Sequence, residues 1–121
     1  MPRILGELIL RMNADGHTVT LMEPLHYHVW SDDSSEVIIV PRGFVSDLAS
    51  VPRVVEWIVS SWKHTAKAAI LHDYLYSVEG QKAHGYYRIQ ADYIFYEALK
   101  VLGCKNAWLA WTAVRIFGRY W

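Results

Sequence analysis

Apolar and polar positions alternate through the first third of the chain and shift to helical spacing near residue 48. The segments ELILRM (7–12) and HTVTLM (17–22) flank NADG (13–16), whose Asp15-Gly16 dipeptide favours a tight hairpin turn. LHYHVW (25–30) alternates in strand fashion, SDDSS (31–35) reads as a polar loop, and EVIIVP (36–41) as an apolar strand. Pro24 and Pro41 punctuate strand edges, because proline has no N–H to give to a ladder.

Beyond residue 48 the spacing predicts helices. Ser50 is placed to cap SVPRVVEWIVSSW (50–62), and Pro52 falls in its first turn, where a missing N–H costs nothing. TAKAAILHDYLYS (65–77) is a second helix, SVEGQKAHG (77–85) a loop, and YYRIQADYIFYEALKVLG (86–103) a long third helix closed by Gly103. NAWLAWTAVRIFG (106–118) is a fourth, running from Asn106 to Gly118. These elements predict an α+β fold in a single domain, residues 1–121. Residues 1–47 form a small antiparallel sheet or meander, and residues 48–121 supply three to four helices packed on it.

Composition narrows the function classes. The chain is 53% hydrophobic and 20% charged, so it has the material for a core. Its formal net charge is zero and no basic block stands out, so nothing indicates nucleic-acid binding. The single Cys104 excludes an internal disulfide and a thiolate zinc site. Glu56, Glu97, Lys100 and Arg115 break the longest apolar stretches, well short of the roughly 20 residues of a bilayer span. Glu7 interrupts the apolar run of MPRILGELILR, which makes a poor signal peptide and predicts a soluble intracellular protein. Six Trp and eight Tyr are many for one small core, so some are expected at a groove or interface.

The chemistry-bearing residues cluster in two places. In LHDYLYS (71–77), His72 and Asp73 sit side by side within a predicted helix. Adjacent helical residues diverge by roughly 100°, so the two side chains cannot share a ridge, although both can border one groove. Tyr76 lies four residues after His72. On the next long helix Arg88, Asp92 and Tyr96 form a stripe at intervals of four, and Arg88 can pair with Asp92. Two antiparallel helices would bring Asp92 opposite His72, where a carboxylate can orient an imidazole as general base, leaving Asp73 to bind a hard cation. The competing reading is a buried hydrogen-bond network that holds the helices together.

The second cluster is PRGFVSDLASVPR (41–53), a strand-to-helix corner offering Ser46, Asp47, Ser50 and Arg53. Arg53 in a first helical turn calls for an anionic partner, and Asp47 is near in sequence. Asp47 or Arg53 reaching the groove of His72 is the functional alternative. His26 and His28 share one strand face and read as surface residues; His17, His64 and His84 carry no assigned role. Trp108, Trp111 and Arg115 read as core and rim packing, with an Arg-on-Trp stack as the alternative.

GFVSDLASVPR, AAILHDYLY, RIQADYIFYEAL and VRIFG, in that order, resemble an uncharacterised family of tailed phages and prophages known as domain of unknown function 1353. That resemblance spans nearly the whole chain. It implies phage or prophage origin, location in the host cytoplasm or association with the virion, and a phage or host protein as partner. HDYLY followed by AD and F is also similar, over a shorter stretch, to the two-helix core of prokaryotic secreted phospholipases A2. This second resemblance implies His72 as the residue that activates water, Asp92 as its orienting carboxylate, and Asp73, with Asp47 nearby, as ligands of calcium or another divalent cation. The disulfide tying those helices is impossible with one cysteine, and no glycine-rich calcium loop precedes the helix. An accessory or structural phage protein with a buried His-Asp network is therefore ranked first. A His/Asp hydrolase acting on a lipid or envelope ester follows, and a host-factor binder using its aromatic surface is third.

Overall fold

The computed structural model describes residues 3–5, 8–15, 18–29, 36–46, 62–103 and 107–117. The strand-rich part forms two three-stranded antiparallel sheets rather than one meander. The first contains β1 (Arg3–Leu5), β4 (Leu25–His28) and β5 (Val37–Val40), in the order β1-β4-β5. The second contains β2 (Leu10–Met12), β3 (Val19–Leu21) and β6 (Val45–Ser46), in the order β2-β3-β6.

β2 and β3 pair antiparallel as a hairpin, with Leu10 opposite Leu21 and Met12 opposite Val19. Asp15 holds the turn by accepting from the Thr18 amide at 3.0 Å and the Thr18 hydroxyl at 2.8 Å. In the first sheet, alternation sets the faces. Tyr27 pairs with Ile38 and Leu25 with Val40, and all four are buried. His26 and His28 point to the other face, opposite Ile39 and Val37. The short β6 was not anticipated. The sequence around Val45 reads as a corner, but Phe44 turns inward and Val45 pairs with Thr20 of β3.

Four helices follow among the described residues: α1 (Trp62–Tyr76), α2 (Val78–Ala83), α3 (Arg88–Val101) and α4 (Ala107–Phe117). The segment 78–83 is helical where a loop was expected. Ser77 caps it, accepting the Gly80 amide at 3.0 Å, and Glu79 favours the positive end of the dipole. Gly80 is buried against the carbonyl of Tyr74, a contact that leaves no room for a Cβ. The helix expected over 50–62 lies, apart from its final Trp62, outside the described residues. So do Asp47, Ser50, Arg53 and Cys104.

Helix α3 is central. It packs against α1 on one side and α4 on the other, and it also meets β1. Gln90 caps its first turn by accepting the Tyr87 amide at 2.8 Å, and Gly103, at φ 83°, ends it with its amide on the Lys100 carbonyl. Its buried stripe of Ala91, Ile94, Phe95, Ala98 and Leu99 meets Ile70, Leu71 and Leu75 of α1 and Ala107, Ala110 and Val114 of α4 in one core. The fully buried Tyr27 of β4 donates its hydroxyl to Glu97 of α3, and Tyr86 donates to Glu36 at the entrance of β5. Both bonds tie the helical layer to the first sheet. No described helix is long and apolar enough to cross a membrane.

Candidate functional site

The antiparallel packing of α1 and α3 brings His72 and Asp92 together. His72 Nε2 stands 2.7 Å from Asp92 Oδ1, and neither side chain is exposed. The Tyr76 hydroxyl donates to the same oxygen at 2.5 Å. Arg115 of α4 donates from Nη1 to Asp92 Oδ2 at 2.8 Å. An ionised carboxylate only accepts, so the imidazole carries its proton on Nε2. Three helices thus converge on one buried carboxylate, through a helical repeat on α1 (His72 and Tyr76) and a long cation reaching in from α4.

The electrostatics follow from these contacts. Burial alone would push the Asp92 pKa up. The hydrogen bonds from His72 and Tyr76, the attraction of His72 and the bond from Arg115 together outweigh that and hold it below the ordinary value of 3.8. Burial, then the bond to Asp92, pushes the Tyr76 phenol up to about 12, so it stays protonated and keeps donating. The His72 ring lies 4.3 Å from the Tyr76 ring and 4.8 Å from Phe95, which fixes its plane.

Asp73 goes elsewhere. The roughly 100° between neighbours on a helix turns it from α3 toward β6, where Ser46 Oγ donates to its Oδ2 at 2.7 Å. Ser46 is buried and Asp73 is only partly so. The HD dipeptide is therefore divided: His72 belongs to the helix–helix network and Asp73 to a sheet–helix contact. Among the described residues no group of three His, Cys, Asp or Glu side chains is placed to hold a metal ion. Asp73 has its bond to Ser46 through Oδ2, and Asp47 lies outside the described residues.

Arg88 does not pair directly with Asp92. It lies on Tyr76, with its Nε 3.5 Å from the phenol oxygen, at the long limit of a hydrogen bond, and its guanidinium carbon 6.0 Å from the ring centre. Arg115, read from the sequence as core and rim packing with Trp108 and Trp111, occupies the second oxygen of Asp92. Its position in a last helical turn gave no sign of that partner, because the pairing depends on how α4 folds back against α3. Tyr96, the third member of the stripe, packs edge-on to Trp111.

An α+β fold whose helices close on a buried His-Asp pair, flanked by Tyr76 and Arg115, is the class defined by this geometry. The chain belongs to the family described as "Protein of unknown function (DUF1353)", which matches it over residues 19–114. That span takes in every member of the cluster except Arg115, the residue immediately after it. No curated protein and no solved structure matches the chain.

Proposed function

We propose that this is an accessory or structural protein encoded by a phage or prophage, in which the His72–Asp92–Tyr76–Arg115 cluster is a structural clasp. The carrying observation is that His72 and Asp92 are both fully buried while three donors fill the two Asp92 oxygens. A general base must reach a water or a substrate proton, and this imidazole is enclosed by Tyr76, Phe95 and Asp92. The phage origin rests on the likeness of the GFVSDLASVPR, LHDYLY and RIQADYIFYEAL motifs to that family, and its site of action is the host cytoplasm or the virion.

A hydrolase is the second reading, favoured by the 2.7 Å His72–Asp92 contact, which is how a carboxylate orients an imidazole base. In that reading a lipid or envelope ester is the substrate. One experiment separates the two. His72→Ala and wild type are compared by thermal melting and by hydrolysis of phospholipid vesicles. The clasp requires a lower melting temperature in the variant and no hydrolysis by either protein. Wild-type hydrolysis that His72→Ala abolishes without moving the melt would replace the clasp with the enzyme. Detection of the chain in purified phage particles would assign it to the virion.

A further inference from the structure

Among the described residues the cluster holds two arginines and one carboxylate. Asp92 meets Arg115 directly and Arg88 through the Tyr76 hydroxyl, which accepts from Arg88 and donates to Asp92. Among the described residues no second carboxylate pairs with either arginine. Arg88 is exposed, and the Arg115 side chain is 33% exposed, so each guanidinium keeps N–H groups directed to solvent. Both stand at the same end of the helical layer. Arg88 precedes Asp92 by one turn of α3, and Arg115 on α4 lies against Asp92 itself. Arg88 also opens its helix, where the dipole opposes a cation.

We propose that Arg88 and Arg115 form a clamp for an oxyanion of phosphate chemistry. Two planar forks held on different helices, anchored from behind by Tyr76 and Asp92, suit a ligand with several oxygens better than a point anion. Asp92 has the role of a positioning residue. It fixes one face of Arg115 and, through Tyr76, sets the height of Arg88, while the outer faces of both guanidiniums bind. The site goes beyond the clasp and does not depend on whether the protein is an enzyme. A soluble phosphate and a lipid headgroup both offer the required chemistry.

The test is a thermal melt of the full chain in inorganic phosphate against chloride at equal ionic strength, for wild type, Arg88→Gln and Arg42→Gln. Arg42 is exposed in a separate turn after β5 and serves as the charge control. Specific binding to the native state raises the melting temperature by mass action. The expected result is a phosphate-dependent rise in wild type and Arg42→Gln that is lost in Arg88→Gln. No rise in wild type, an equal rise in all three proteins, or loss in both variants would overturn the clamp. Flotation with phosphatidylcholine vesicles, with and without phosphatidylglycerol, identifies the source. Binding to the anionic vesicles that needs Arg88 assigns a lipid headgroup, whereas the phosphate response alone assigns a soluble anion; both results uphold the clamp.

Discussion

Asp92→Asn is the substitution that tests the clasp most directly. It conserves shape and removes charge. The amide oxygen can still accept from Tyr76 and His72 if it takes the place of Oδ1. The amide nitrogen then replaces Oδ2 and faces Nη1 of Arg115, donor against donor, where a 2.8 Å bond had been. The reverse rotamer restores Arg115 but turns the amide N–H groups on His72 and Tyr76, so the imidazole must move its proton to Nδ1 and the phenol must turn its O–H away from the bond it makes in the wild type. Breaking a buried ion pair from one side costs about 3–5 kcal/mol. Arg115 is one-third exposed and can turn partly to water, so the lower end, about 3 kcal/mol, is the appropriate estimate. For a domain of this length 1 kcal/mol moves the melting temperature by roughly 3–6 °C, so a fall on the order of 10 °C is expected, with an unchanged urea m-value. Tyr76→Phe removes one donor and leaves the carboxylate two others, and should cost about 1–2 kcal/mol. The double variant should depart from the sum of the two, because the residues share one hydrogen bond and their costs are coupled. A melting temperature for Asp92→Asn within a degree or two of wild type would refute the idea that this carboxylate holds three helices together.

Other expectations follow from single contacts. Gly80→Ala should destabilise by several kcal/mol, although helix propensity alone predicts a gain of about 1 kcal/mol, because the new Cβ would overlap the Tyr74 carbonyl; urea unfolding gives the sign. Ser46→Ala should cost about 1 kcal/mol, measured by melting, since the partly exposed Asp73 can turn to water. The folded pKa of Asp92 is depressed, so its stabilisation is complete above the ordinary 3.8 and is lost as pH falls from there through the lower folded value. Acid titration of stability should flatten over that window in Asp92→Asn. His84 is lowered from 6.5 by burial, only partly offset by Glu36, and it stacks on Tyr86. Protonation therefore favours the unfolded chain, stability should decline as pH falls below 6.5, and His84→Asn should remove that slope.

The sequence made the helix pair legible because its signals are local. Intervals of four place His72 with Tyr76 and Arg88 with Asp92, and a short chain reversal between two apolar stripes leaves antiparallel packing as the economical arrangement. Gly103 marked the end of α3 for the same reason: a positive φ is a property of one residue. What escaped notice is non-local. The division of the first 47 residues into two sheets depends on β1 pairing with β4 and β6 with β3, contacts between strands far apart in sequence that alternation alone does not distinguish. Helix α2 was hidden by Gly80, whose low propensity reads as a loop until the close approach of the Tyr74 carbonyl is seen.

Arg115 shows why a site can be half visible. A carboxylate and an imidazole on facing helices announce each other by type and spacing, whereas an arginine on a third helix can serve any acid within the reach of its long side chain. Its choice of Asp92 changes how the whole cluster reads. With His72 and Tyr76 alone, Asp92 would be an orienting carboxylate whose second oxygen remained available to steer chemistry. With Arg115 on that oxygen, both are committed, and an ion pair between α3 and α4 stands beside the bond toward the imidazole. Replacing Arg115 with Met, which keeps length and apolar stem but removes the fork, therefore discriminates the two readings. A clasp loses stability by about 2–3 kcal/mol because Asp92 is left buried with its second oxygen unpaired. An orienting dyad leaves the Asp92 carboxylate to His72 and Tyr76 alone, and any ester hydrolysis by the protein should rise. A fall in melting temperature with no appearance of hydrolysis supports the clasp, and hydrolysis that increases in Arg115→Met would refute it.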